Sequence, residues 1–184
     1  MSTTRREALA AAAAAAAPLA LAGAPAALAA TSSDRQQLAQ AALATALQLE
    51  QTAVVAYEAI ANGGRLSGRA TAIMRQLLAD DRQHAAQLVT ALDAMGLKPP
   101  IPPRRANIRG LGGVHDDATA VRFALALEDR TIGAYSVAVR DVADANLLRT
   151  VAGAMGTDGQ HLVVLRELSR RPPVPNALER GARP

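Results

Sequence analysis

Apolar residues recur along this chain at spacings of three and four, the period of one helix face. They do so in four separate stretches. From Asp34 to about Ala61 the stripe reads Leu43, Leu47, Glu50, Val54 and Tyr57. The second, about 68–95, reads Ile73, Leu77, Asp81, His84, Leu88, Ala91 and Met95 and stops at Gly96. The third, from Asp117 to about Val142, carries Val121, Leu125, Glu128, Ile132, Tyr135 and Val139. The fourth opens at Asp144 and carries Leu147, Val151, Ala154, Asp158, His161, Leu165 and Leu168. The pattern predicts an all-α chain of four helices, each with carboxylate or imidazole groups set into an otherwise apolar seam.

The breaks between stripes predict how the helices connect. Asn62-Gly63-Gly64 ends the first helix and Ser67 is the expected N-cap of the second. Pro99, Pro100, Pro102, Pro103, Gly110, Gly112 and Gly113 exclude helix between Leu97 and Asp116. A connection of about 20 residues spans roughly 65 Å when extended, whereas a helix of about 26 residues is only about 39 Å long. It can therefore run from one end of a bundle to the other, a job that justifies a loop of this length. The expected architecture is an up-down four-helix bundle over 34–170, built from two tight hairpins and a long middle crossover. A Pro-rich tail follows at 171–184, read as an extended strap.

The two hairpins repeat one another. Leu49-Glu50-Gln51-Thr52-Ala53-Val54-Val55-Ala56-Tyr57 returns as Leu127-Glu128-Asp129-Arg130-Thr131-Ile132-Gly133-Ala134-Tyr135. Asp81-Arg82-Gln83-His84 returns as Asp158-Gly159-Gln160-His161. The chain has 2 Tyr and 3 His, and both tyrosines and all histidines but His115 fall in this register. Scarce residues placed twice in one register indicate a duplicated helical hairpin.

In an antiparallel hairpin, residues equidistant from the turn lie at one height. The point midway between Glu50 and Asp81 falls in the Asn62–Ser67 turn, and that between Glu128 and Asp158 at the break before Asp144. Each hairpin thus sets a glutamate opposite an Asp-x-x-His. Hairpins packed seam to seam bring all six side chains into one layer, each histidine leaning back toward the carboxylates.

Composition narrows the rest. Half the residues are hydrophobic, much of that alanine, with 1 Phe and 0 Trp, which favours closely packed helices over an aromatic core. The net charge of +4 comes from arginines scattered among acids. No basic run interleaved with aromatics marks a nucleic-acid surface. Without cysteine there is no disulfide, thiolate metal site or lipid attachment point.

Residues 1–29 read as an export leader. Arg5-Arg6 forms a twin-arginine n-region, an alanine-rich stretch broken by Pro18 and Pro25 follows, and Ala27-Leu28-Ala29 is the expected cleavage site. The alternatives, a membrane anchor or an ordinary N-terminal helix, are disfavoured by the prolines and by alanine's weak membrane preference. The expectation is an exported protein, in the periplasm, cell envelope or medium, with no lasting membrane anchor after cleavage.

Two Glu, two Asp and two His in a Leu, Val and Ala core would be severely destabilising if ionised and unpaired. Two divalent cations would offset four carboxylates, and a carboxylate and imidazole donor set suits Fe or Mn, with Zn also compatible. One Glu from each of two helices plus an acid-x-x-His from each of the others is the di-metal bundle arrangement. The blander reading keeps Glu50 with His84 and Glu128 with His161 as metal-free hydrogen-bonded pairs, and Tyr57 and Tyr135 as core fillers. His115, Glu58 and Glu167 read as surface residues, and Asp80 falls off the seam.

On these motifs, over about 34–170, the chain resembles the ferritin-like superfamily, in particular rubrerythrin-type and secreted ferritin-like domains. The resemblance implies Glu50, Asp81, His84, Glu128, Asp158 and His161 as ligands of two metal ions, with Tyr57 and Tyr135 hydrogen-bonding near the carboxylates. It also implies oxidase or peroxidase chemistry. The alternative is a non-catalytic envelope or binding module with a degenerate metal site. One departure bears on that choice: the family's Glu-x-x-His is Asp-x-x-His in both copies here, one methylene shorter. The expected partners are metal ions and not nucleic acid, with a homodimer also allowed.

Overall fold

The computed structural model describes residues 32–176 and 180–182, so the leader and its cleavage site lie outside the described residues. Four α-helices account for most of the described chain: α1 (Ser32–Ala61), α2 (Gly68–Ala94), α3 (Asp117–Asp141) and α4 (Ala145–Leu168). There is no strand among the described residues, and none of the described helices is long and apolar enough to cross a membrane.

Local chemistry sets the helix ends. The Ser67 hydroxyl accepts from Ala70 N at 3.3 Å at the start of α2. Asp116 and Thr119 form a reciprocal capping box at the start of α3. Asp144 Oδ1 accepts from the Asn146 and Leu147 amides at the start of α4. Each such cap satisfies amides that have no partner within the helix. Beyond α2 the backbone turns left-handed at Gly96, φ 71°, where glycine carries no steric penalty.

The crossover runs the length of the bundle. Near its start the Pro100 carbonyl accepts from Gln51 Nε2 at 2.9 Å, midway along α1. Two short 3-10 turns follow, Arg105–Asn107 and Leu111–Gly113, and Ile108, Leu111 and Val114 are buried. At its far end the Asp117 carboxylate accepts from the amide and the hydroxyl of Ser67, at 2.8 and 2.6 Å. The start of α3 is thereby tied to the α1–α2 turn, so α3 runs antiparallel to α1.

Alanine lets these two helices approach closely, with Ala46, Ala53, Ala56, Ala124, Ala134 and Ala138 all buried. Leu43, Leu47, Met74, Leu77, Leu88, Leu92, Leu162 and Leu165 fill the core around them. The buried face is broader than the single stripes predict. On α2 Met74 and Leu92 are buried while Ile73, Ala91 and Met95 are half-buried, and on α3 Ala124 and Ala138 are buried beside half-buried Leu125 and Val139. A helix that packs against more than one neighbour buries a sector wider than one i, i+3, i+4 row.

The tail returns to α3. Ala182 N donates to the Asp129 carbonyl at 2.8 Å, and the Ser136 hydroxyl donates to the Arg180 carbonyl at 3.2 Å. Any Cβ on Gly133 would overlap the Ala182 carbonyl, so the strap lies where α3 has no side chain.

Candidate metal centre

All six polar seam residues are buried: Glu50 1% exposed, Asp81 1%, His84 7%, Glu128 2%, Asp158 0% and His161 4%. They converge in one layer between the two hairpins, arranged about a local twofold. His84 Nδ1 lies 3.3 Å from Glu50 Oε1, and His161 Nδ1 lies 3.2 Å from Glu128 Oε2. The ring centroids are 6.4 Å apart.

The aspartates sit between the two imidazoles. Asp81 Oδ1 is 3.9 Å from His84 Nδ1 and 3.7 Å from His161 Nδ1. Asp158 Oδ1 is 3.4 Å and 3.8 Å from the same two atoms. Aspartate, though shorter than glutamate, therefore places an oxygen within reach of both halves. Asp81 belongs to two groups whose donor atoms all lie within 4.8 Å of one another, one with Glu50 and His84 and the other with Glu128, Asp158 and His161.

The tyrosines exchange partners across the bundle. Tyr57 Oη donates to Glu128 Oε1 and Tyr135 Oη donates to Glu50 Oε1, each at 2.6 Å. Each bond holds one carboxylate oxygen and leaves the other to the layer.

Among the described residues, Glu50 Oε2, both oxygens of Asp81, both oxygens of Asp158 and His84 Nδ1 are buried with no hydrogen-bond partner. Histidines are the sole basic residues in ion-pair range of Glu50, Asp81, Glu128 and Asp158 there. Orphaned buried carboxylate oxygens are costly, and a native core holds few of them without an ion or water to take them up. Oxygen and imidazole nitrogen donors converging from four helices, with several lone pairs unused, are compatible with metal binding.

The electrostatics carry the same mark. Burial, and then the charges of Glu128, Glu50 and Asp158, push the Asp81 carboxyl well above its ordinary range. Burial, then Glu50 and Glu128, does the same to Asp158. Glu50 is raised by burial despite its His84 and Tyr135 contacts. Burial alone would lower His161, but the hydrogen bonds and charges of Glu128 and Asp80 outweigh it and raise the imidazole. Tyr57 and Tyr135 are raised by burial and by the surrounding carboxylates, and so remain phenols.

Asp80 is the residue that seam reasoning passes over. It lies off the apolar stripe of α2, yet its Oδ2 is 3.3 Å from His161 Nε2 on α4, behind the ring. The Asp80-Asp81 pair was the available signal, one carboxylate for the layer and a second one position away. His115 stands outside the layer with its side chain 66% exposed, and Glu58 is a surface partner of Arg82 at 2.9 Å.

A sequence-family model described as a ferritin-like domain matches residues 7–171. The crystal structure of a conserved hypothetical protein from Mycobacterium tuberculosis is similar, with a TM-score of 0.65 and 18% identity, over 78% of this chain and 99% of that chain. At that identity the likeness is one of fold. No protein of curated function matches significantly.

Proposed function

The chain belongs to the ferritin-like domain family, and on that premise we propose that it binds two divalent transition-metal ions between its hairpins, as an exported protein. Glu50, Asp81 and His84 hold one ion; Glu128, Asp158 and His161 hold the other, with Asp81 and Asp158 set between them. The observation that carries this reading is the pair of central aspartates, whose four oxygens are all buried without a hydrogen-bond partner. A metal-free hydrogen-bond network would use those oxygens.

Iron or manganese bound there supplies one-electron redox chemistry toward a small oxidant such as dioxygen or peroxide. The chain's own residues do the rest. The Leu and Ala core keeps bulk water from most of the layer, and the tyrosine hydroxyls fix the rotation of Glu50 and Glu128.

Protein purified without chelator is expected to carry roughly two metal equivalents per chain by elemental mass spectrometry. The Asp81→Asn, Asp158→Asn double variant should keep the helical spectrum and lose most of the metal. A folded, metal-free wild type that takes up none on reconstitution would remove the reading. Peroxide consumption by the loaded protein, compared with that of free metal, then decides between an enzyme and a binding module.

A further inference from the structure

The local twofold that maps Glu50 onto Glu128 and His84 onto His161 fails beside the centre. Behind His161, Asp80 Oδ2 lies 3.3 Å from Nε2, and Gln76 Nε2 donates to the same oxygen at 2.9 Å. In the second hairpin the equivalent positions hold Gly153 and Thr157. The Thr157 hydroxyl turns back to the Gly153 carbonyl of its own helix at 3.2 Å.

Beside Thr157 a cleft of about 470 Å³ opens between α2 and α4; Asp80, His84, Arg149, Gly153 and Thr157 are among its lining residues, and His161 is not. A Cβ on Gly153 would meet nothing within 4 Å, so the space is open. The inner carboxylates do not share this difference: His161 Nδ1 has Glu128, Asp81 and Asp158 within 3.8 Å, and His84 Nδ1 has Glu50, Asp81 and Asp158 within 3.9 Å, so Asp80 alone breaks the match.

We propose that Asp80 makes the two metal positions unequal: the Glu128–His161 half holds a divalent cation tightly, and the Glu50–His84 half, open to the cleft, holds the exchangeable one. This rests on the metal-binding reading above. A carboxylate behind a ligating imidazole fixes its tautomer and ring orientation and raises the basicity of the inner nitrogen. Loss of such a partner typically lowers metal affinity about 10–100-fold. Asp80 is thus a positioning residue that acts through His161, and among the described residues none plays its part for His84.

The test is a calorimetric titration of chelator-stripped full-length chain with Zn(II), repeated with Mn(II). Wild type should bind in two steps separated by about 10–100-fold in Kd. Asp80→Ala should weaken the tighter step by a similar factor and leave the weaker one in place. Thr157→Asp, which sets a carboxylate at the mirror position, should strengthen the weaker step, and it carries the test alone if Asp80→Ala does not fold. Two ions bound with equal affinity in wild type, both steps weakening alike in Asp80→Ala, or no strengthening in Thr157→Asp would each overturn the inequality while leaving metal binding intact. No binding by folded wild type would overturn both readings.

Discussion

Tyr57 on α1 donates to Glu128 on α3 at 2.6 Å, so that a side chain of the first hairpin holds a carboxylate of the second. Tyr135 returns the contact to Glu50 at the same distance. Hydrogen bonds to charged groups contribute about 1.5–3 kcal/mol. Tyr57→Phe and Tyr135→Phe should each lower the urea unfolding free energy of the metal-free protein by an amount in that range, with helical content unchanged. A loss no larger than that of a surface substitution would show the tyrosines to be fillers.

Glu50→Ala and Glu128→Ala each remove one side chain from one half of the layer. Each should reduce metal content by half or more on elemental analysis. His115→Ala, outside the layer with its side chain 66% exposed, should leave it unchanged.

Acidity should act in opposite senses on the stripped and loaded protein. Folded Asp81 and Asp158 lie well above the ordinary 3.8, and Glu50 above 4.5, burial being the first cause. Raised folded values mean that the native state binds protons more readily than the unfolded chain. The associated stability is fully present below the ordinary carboxylate range and is lost as pH rises through the raised values. Raised His161 has the same sign. With chelator, the melting temperature should therefore rise as pH falls from 7 into the mildly acidic range. With metal it should fall, because protons compete with the ions for the same donors. Melting curves at several pH values with and without chelator check this, and identical trends would contradict it.

Gly133→Ala tests the strap. The new methyl would overlap the Ala182 carbonyl, so the tail should leave α3 and become sensitive to limited proteolysis. Alanine also favours helix by up to about 1 kcal/mol over glycine. Metal content should be unaffected.

Export is a proposal that rests on Arg5-Arg6 and Ala27-Leu28-Ala29. Replacing both arginines by lysine should leave precursor in the cytoplasm, read by fractionation and immunoblot. Unchanged secretion would remove the twin-arginine assignment.

The helices, the cap at Ser67, and the layer of six polar residues were legible because each is a matter of phase along a single helix or of distance from a turn. Asp80 was not. Its contact with His161 depends on how closely α2 and α4 approach, which no periodicity reports. Met74 and Leu92 escaped for a related reason: a stripe drawn as one row cannot show that a helix meets two neighbours. The strap over Gly133 was hidden because a glycine inside a helix leaves no sign of what crosses it. In the repeat Gly133 stands where the first hairpin has Val55, and that difference was the only sequence trace of the tail's path.

The lone Asp80 also bears on why two hairpins share one chain. A symmetric pair of separate, identical hairpins would present every residue twice, so a carboxylate behind one imidazole would necessarily appear behind the other. The continuous crossover from α2 to α3 lifts that obligation. Each copy can then drift independently, which lets Gly153 and Thr157 stand opposite Gln76 and Asp80 while the six inner side chains stay matched.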